Sequence, residues 1–253
     1  MPDPATRDVE REHRHDAAVL LSHQPGLAVD SALSEGHVAG GTIGDFDPGP
    51  GDLLADPAPG PRLERAAAAL TAHGFTAEIL DGAAAARTRI ADLMPEGASV
   101  FTAASETLRR SGIEEDINTS GRYDPVRQRG QAMDRATRLA EIWRLMSTPD
   151  VIVGSAHAVT ETGSLVVASA SGSQLPGYAG AAMRAIWIVG AQKVVPDLST
   201  ALRRVEDHCQ PLESARAQEA YGRPSAINRL LILNAEPSPG RGTVLLLREA
   251  IGF

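Results

Sequence analysis

The sequence has 253 residues, enough for one large domain or two small ones, and its hydrophobic content of 43% is sufficient for a buried core. Its formal net charge of −8 argues against general nucleic-acid binding, because phosphate recognition uses a basic surface. No apolar run approaches the ~20 residues that span a bilayer, and the polar first residues do not resemble a secretory signal. The sequence therefore predicts a cytoplasmic protein whose partners include neither nucleic acid nor a membrane.

Two residue types occur only once. Cys209 is the single cysteine, which excludes an intrachain disulfide and a self-contained iron–sulfur cluster, whose usual ligands are four cysteines. Lys193 is the single lysine in a chain whose positive charge is otherwise arginine. A lysine offers a compact charge with a tunable pKa, whereas a guanidinium is a flat fork. Lys193 is therefore a candidate functional residue, and the alternative is a surface lysine that persists by chance.

The chain begins with a segment that does not read as a folded unit. Residues 1–60 end in a stretch rich in proline, glycine and aspartate that shows no hydrophobic periodicity. Such a composition stays loose or lies extended over a surface. We expect a flexible or extended segment over 1–60 and a folded domain over 61–253.

From Pro61 onward, helical and extended patterns alternate. The pattern predicts helices over residues 62–74, 82–97, 105–113, 131–148 and 211–222, and strands over 75–81, 99–105, 150–155, 164–169, 227–236 and 242–253. Residues 185–208 indicate a strand, a turn and a helix, with Asp197 at the N-cap. This alternation predicts an α/β domain with a mostly parallel sheet.

Three loops at strand ends form the candidate site, because ligands of open α/β sheets bind beyond the carboxyl ends of the strands. These loops are residues 102–105, 154–164 and 190–193, and we expect them to converge on one crevice. Small residues allow close approach to the backbone, and free N–H groups favour anions. We expect a small anionic metabolite, and the candidate ligand-binding residues are Ser105, Gly154, Ser155, Thr160, Thr162, Gly163, Ser164, Gly190 and Lys193.

Glu161 is the candidate catalytic residue, as a general base or nucleophile. The alternative is a turn residue that ties the loop to backbone N–H groups or to an arginine. His157 precedes it by four residues, a spacing that places two metal ligands on one helix face, but the neighbouring threonines and glycine argue against a helix and no third ligand is evident. We therefore predict no metal site and expect His157 in a hydrogen-bonded pocket wall or in the core.

The sequence contains none of the common cofactor or nucleophile motifs. It has no G-x-G-x-x-G after a strand, no G-x-x-x-x-G-K-[ST] and no G-x-S-x-G. No cofactor is therefore predicted.

Four segments together resemble the LUD domain (lactate utilisation) family: residues 95–113, residues 150–169 with "TETGS", residues 185–205 with "VGAQKVVPDL", and residues 239–253. The resemblance extends from about residue 61 to the end. It implies a three-layer αβα fold of the NagB/RpiA/CoA-transferase type. It also implies a role in the oxidation of L-lactate to pyruvate, beside partner oxidoreductase subunits that carry iron–sulfur clusters. Without cluster cysteines, this chain would be the cluster-free component or an independent relative.

The resemblance leaves three functions open. The first is a component of, or accessory to, L-lactate oxidation. The second is an independent acyl- or CoA-transferring enzyme, since in the wider CoA-transferase group a glutamate followed closely by glycine acts as the nucleophile, and "ETG" at Glu161 is similar to that pattern without being identical. The third is a non-catalytic metabolite sensor, because one fold hosts many functions.

Overall fold

The computed structural model describes residues 52–253. The expectation of a flexible or extended segment over 1–60 falls mostly on residues 1–51, which lie outside the described residues. Residues 52–59 are turns and irregular chain, and the first helix begins at Gly60.

Helices and strands alternate along most of the described chain. The α-helices are α1 (Gly60–Ala72), α2 (Ala83–Leu93), α3 (Glu106–Ser111), α4 (Ile113–Thr119), α5 (Val126–Gln131), α6 (Leu139–Ser147), α7 (Leu198–Arg203) and α8 (Gln210–Tyr221). The strands are β1 (Thr76–Leu80), β2 (Ser99–Thr102), β3 (Asp124–Pro125), β4 (Val151–Gly154), β5 (Ala158–Thr160), β6 (Leu165–Ser169), β7 (Arg184–Gly190), β8 (Val194–Val195), β9 (Arg229–Leu233) and β10 (Gly242–Leu247). Two π-helical turns (Gly177–Ala181 and Arg204–Cys209) and one 3₁₀ turn (Ala191–Lys193) complete the set.

Six strands form a fully parallel sheet in the order β1-β10-β7-β4-β2-β3. Successive residues of β7 alternate between two cores: Trp187 packs with α1 on one face, and Ile188 packs with α2, α3 and α4 on the other. A strand buried on both faces reads as a continuous apolar run, which is why the runs in β4, β7 and β10 predicted buried strands. The three-layer α/β architecture is confirmed.

A second, four-stranded sheet of order β8-β5-β6-β9 corrects the expected loop after Ser155. Residues Ala158–Thr160 form a strand that pairs antiparallel with β6 and parallel with β8. Ala158 and Val166 from this hairpin pack against Ala201 and Val205 in a third core. The extended segment has three residues, too few for an alternating pattern to show in the sequence.

The helix predicted over 131–148 is also corrected. It is interrupted, with α5 ending at Gln131 and α6 beginning at Leu139. Between them the Asp134 carboxylate accepts hydrogen bonds from the Ala136 N–H and the Thr137 hydroxyl, both at 2.9 Å. A side chain that satisfies nearby donors in this way stabilises a turn instead of a helix.

The strand order brings the beginnings of the three predicted loops to one edge. Strands β2, β4 and β7 are parallel neighbours, and they end at Thr102, Gly154 and Gly190. The helix caps were predicted correctly: Ser105 caps α3 and Asp197 caps α7, each accepting a backbone N–H three residues later. Within residues 52–253, no helix is both long and apolar enough to cross a membrane.

Candidate functional site

A cavity of about 700 Å³ opens beyond the carboxyl ends of β2 and β4 and extends to α8. We call its inner end the floor, formed by Ser105, Ser155, His157, Lys193 and Cys209. Three of these five are predicted ligand-binding residues, and the structure brings them together because they follow the ends of three neighbouring parallel strands.

Lys193 is the most deeply placed charge of the floor. The 3₁₀ turn after β7 carries it, and the residue is 3% exposed. Its Nζ donates to Thr107 Oγ1 at 2.9 Å and to Ser155 Oγ at 3.1 Å. Burial, and secondarily the nearby charge of Arg204, lower the pKa of Lys193 to about 7, because both disfavour the protonated amine.

Arg204 is a second buried cation, at the start of the π-helical turn behind the floor. Its Nε donates to the Gln192 carbonyl at 3.1 Å, and its Nη1 donates to the His157 carbonyl at 2.6 Å and to Cys209 Sγ at 2.8 Å. Its Nη2 is buried without a partner among the described residues. These partners are neutral acceptors, so they satisfy N–H groups without balancing the charge.

Neither cation forms an ion pair with a carboxylate of residues 52–253. Burial lowers the pKa of Arg204. The exposed carboxylate of Asp52 raises this pKa, but its effect is smaller than that of burial. In contrast, most of the charged side chains nearer the mouth of the cavity form ion pairs with side chains of opposite charge. Three ion pairs line it: Arg109–Glu106 at 2.6 Å, Arg127–Glu114 at 3.0 Å and Arg216–Glu213 at 2.7 Å. Arg223 also lines the cavity without an ion-pair partner among residues 52–253, but it is exposed to solvent, so the buried and uncompensated positive charge lies at the floor and behind it.

His157 lines the cavity at its floor, which agrees with the first of the two placements considered from the sequence, a hydrogen-bonded residue of the pocket lining. Its Nδ1 accepts the Ala168 N–H at 3.1 Å, which leaves the proton of the neutral ring on Nε2. Burial, then the charges of Lys193 and Arg204, lower its pKa to about 3. The ring is neutral at ordinary pH. Within residues 52–253, no group of three or more His, Cys, Asp or Glu side chains is arranged to hold a metal ion.

Glu161 lies elsewhere. It follows β5, and its carboxylate accepts a hydrogen bond from Arg65 Nε at 2.6 Å and forms an ion pair with Arg62, whose Nε lies 2.6 Å away. It does not line the cavity. The geometry matches the alternative of a turn acid tied to arginine, while its catalytic role stays a prediction.

The remaining predicted binding residues also lie outside the cavity lining, mostly at the β5–β6 turn. Thr160 and Thr162 share a hydrogen bond of 2.8 Å, and Ser164 Oγ donates to Asn234 at 3.0 Å. Gly163, at φ +83°, lies against α1. The hairpin carries these residues away from the strand ends. Gly154 packs under Tyr178, and Gly190 packs against Ile251.

Sequence reasoning missed Thr107 and Arg204. Thr107 lies in α3 just after the predicted cap, and its side chain is fully buried. Arg204 lies in "LRRVEDH", which reads as an ordinary polar helix surface. Only the tertiary structure shows that this arginine points inward.

A family model described as LUD domain matches residues 63–228. Among solved structures, the chain is similar to the crystal structure of a DUF162 family protein from Deinococcus radiodurans, with 12% identity and a TM-score of 0.46 over 74% of this chain and 96% of the other. A comparison with curated proteins finds no match.

Proposed function

Because the chain belongs to the LUD domain family, we propose that it binds a small anionic metabolite over Lys193 and serves L-lactate utilisation. In this role it is a cytoplasmic, cluster-free component of, or accessory to, the oxidation of L-lactate to pyruvate. The metabolic part follows from the family, and the binding part from the cavity.

One observation carries the binding proposal: two buried cations, Lys193 and Arg204, have no carboxylate partner among the described residues. Removing an ion from water costs several kcal/mol after relaxation unless an opposite charge compensates. An anion in the cavity would provide that compensation. Lys193 and Ser155 line the space and face it directly, while Arg204 acts from behind the floor through its charge.

The cavity sets an upper limit on ligand size. At about 700 Å³ it falls within the range of roughly 300–1,000 Å³ common for small-molecule sites. A three-carbon acid would occupy only the floor, so a longer anion also fits. The binding panel must therefore include phosphates and CoA esters beside lactate and pyruvate.

The redox part of the role falls to a partner. Cys209 is the single cysteine, and it is buried with its thiol held by Arg204. Iron–sulfur oxidoreductase subunits are therefore the partners that the proposal requires, and co-purification from cells grown on L-lactate tests for them.

Ligand binding is tested by thermal shift on the wild-type protein and on Lys193→Met. The panel contains L-lactate, pyruvate, sugar phosphates, CoA, acetyl-CoA and NADH. A ligand at a hundred times its dissociation constant raises the free energy of unfolding by about 2.7 kcal/mol. We expect an anion to raise the melting temperature of the wild type accordingly, and the increase should be much smaller in Lys193→Met. Glu161→Gln is the matched control and should retain the shift. No shift with any anion would contradict binding in this cavity.

A further inference from the structure

We propose that Lys193 Nζ forms a covalent imine with the carbonyl carbon of its ligand, so that the cavity takes an oxo acid: an anion that carries a ketone or aldehyde group. This inference rests on the proposed anion site and specifies the class of metabolite. It assigns the single lysine of the chain a chemical role in addition to its charge.

The surroundings of Lys193 are those of a reactive amine. A lysine paired with a carboxylate stays protonated, but Nζ here contacts two hydroxyls and no carboxylate of the described residues. Burial, with Arg204 nearby, also favours the neutral amine. Desolvation and an adjacent cation are the two conditions that activate lysine toward carbonyl substrates.

The other nucleophilic groups of the floor are already occupied. His157 Nδ1 accepts a backbone N–H. The Cys209 sulfur accepts from Arg204, and burial raises the pKa of this thiol, so it stays protonated. Lys193 is left as the nucleophile that lines the cavity.

The two hydroxyls play different parts. Thr107 Oγ1 donates to the Ile251 carbonyl at 3.3 Å while it accepts from Nζ, and it does not line the cavity. It therefore positions the amine from behind. Ser155 Oγ lines the cavity beside Nζ. Its weak donation to the adjacent Ala156 carbonyl, at 3.2 Å, can be exchanged for a bond to the ligand.

The reaction balances without any oxidant or reductant. The Nζ lone pair forms a C–N bond to the carbonyl carbon, and the first amine proton moves to the carbonyl oxygen to give a neutral carbinolamine. The second amine proton then moves to the hydroxyl, the C–O bond breaks as nitrogen forms the C=N bond, and the hydroxyl leaves as water. Ser155 is placed to pass protons between nitrogen and oxygen. Arg204 stays charged throughout, so the ligand carboxylate keeps a cation behind the floor.

The test is reductive trapping. The full-length protein is incubated with pyruvate or 2-oxoglutarate, reduced with sodium borohydride, and weighed intact and as peptides by mass spectrometry. Because Lys193 is the only lysine, the chain amino terminus is the only other primary amine, and peptide mapping separates the two. We expect one secondary-amine adduct at Lys193. L-Lactate, which has no ketone or aldehyde group to condense with an amine, should give none.

Two variants keep the test independent of a folding defect. Lys193→Met should abolish the adduct, and Ser155→Ala, which retains the amine, should slow adduct formation about 100-fold, in the range of proton-transfer catalysis. A thermal shift with pyruvate but no adduct at Lys193, or an adduct only at the amino terminus, overturns the imine and leaves anion binding intact. Absence of both adduct and thermal shift for every anion overturns both proposals.

Discussion

Lys193 Nζ donates to Ser155 Oγ across 3.1 Å, a contact that joins the ends of two neighbouring parallel strands. Ser155 directly follows β4, and Lys193 lies in the turn after β7. The contact satisfies an N–H group but supplies no negative charge. The fold therefore keeps an uncompensated amine at the edge of the sheet where ligands of α/β proteins bind.

The stability of the unliganded protein should rise with pH because of Lys193. Its pKa is about 7 in the folded protein against an ordinary 10.5, so between these values the unfolded chain binds a proton that the folded chain does not. The free energy of unfolding then increases by up to about 1.4 kcal/mol per pH unit. Below pH 7 both states are protonated and the burial penalty is constant. Urea unfolding at pH 7, 8 and 9 measures this slope.

Lys193→Met provides the control for this slope, because methionine fills similar space without a titrating group. The variant should be more stable than the wild type at pH 7, and the difference should shrink as pH rises. Parallel pH profiles for the two proteins would contradict a buried amine with a lowered pKa.

Affinity for an anion should fall as pH rises above 7. Only protonated Lys193 attracts the ligand carboxylate directly, and its proton is lost above its pKa of about 7. L-Lactate is the suitable probe, since it forms no imine, and its dissociation constant should increase up to about tenfold per pH unit. Calorimetry at pH 6.5, 7.5 and 8.5 measures the change. A dissociation constant that is equally pH-dependent in Lys193→Met would assign the effect to another group.

Acid should destabilise the protein through His157. Its pKa is about 3 in the folded protein against an ordinary 6.5. As pH falls from 6.5 towards 3, His157 therefore binds a proton in the unfolded chain but not in the folded chain. The free energy of unfolding therefore decreases with falling pH in this window. His157→Asn retains an acceptor for the Ala168 N–H without titrating, and its loss of stability between pH 6.5 and 4.5 should be shallower. Equal losses would show that His157 is not the responsible group.

The fold was predictable where burial on both faces produces long apolar runs, as in β4, β7 and β10. Short elements could not be predicted in this way. Strand β5, for example, has only three residues, and it is stabilised by pairing with β6 and β8. The break before α6 depends on one aspartate satisfying two local donors, and side-chain direction of this kind is not encoded in hydrophobic periodicity.

The site was predictable only in part. Ser105, Ser155 and Lys193 meet because parallel neighbouring strands end at one edge. Thr162 and Ser164 do not join them, since the β5–β6 hairpin reverses the chain direction. Arg204 gave no signal because a buried and an exposed arginine in a helical pattern look alike in sequence, and only the packing of the turn at 204–209 distinguishes them.

Gly154 is a position where even one methyl group should not fit. A Cβ built there would lie 1.8 Å from the Tyr178 hydroxyl and 3.0 Å from Ala103 Cβ. Tyr178 is fully buried and stacks on Trp187 with ring centroids 5.1 Å apart, so it has little room to move. Gly154→Ala should lower stability by about 1–3 kcal/mol, measured by urea unfolding.

Removal of the Tyr178 hydroxyl should partly restore the stability lost in Gly154→Ala. It is buried and has no hydrogen-bond partner among the described residues, so Tyr178→Phe alone should be close to neutral or stabilising. In the Gly154→Ala, Tyr178→Phe double variant the closest clash is absent, and part of the lost stability should return. Strictly additive effects would show that Ala103 or the aromatic ring of residue 178, not the hydroxyl, limits the space.

Glu161 should be dispensable for ligand binding. Its carboxylate joins Arg62 and Arg65 in an ion-pair cluster outside the cavity, and partly exposed pairs contribute little. Glu161→Gln should lower the melting temperature by at most a few degrees, with a loss that shrinks in added salt, and should leave the L-lactate dissociation constant unchanged. Glu78→Gln is the matched control, because it breaks the Arg89–Glu78 ion pair, which also lies outside the cavity lining.

A second experiment tests the contrary hypothesis that Glu161 is a nucleophile. The protein is incubated with acetyl-CoA and then treated with hydroxylamine, which reacts with a thioester at Glu161. Such a thioester in the wild type and none in Glu161→Gln would establish acyl transfer through this residue.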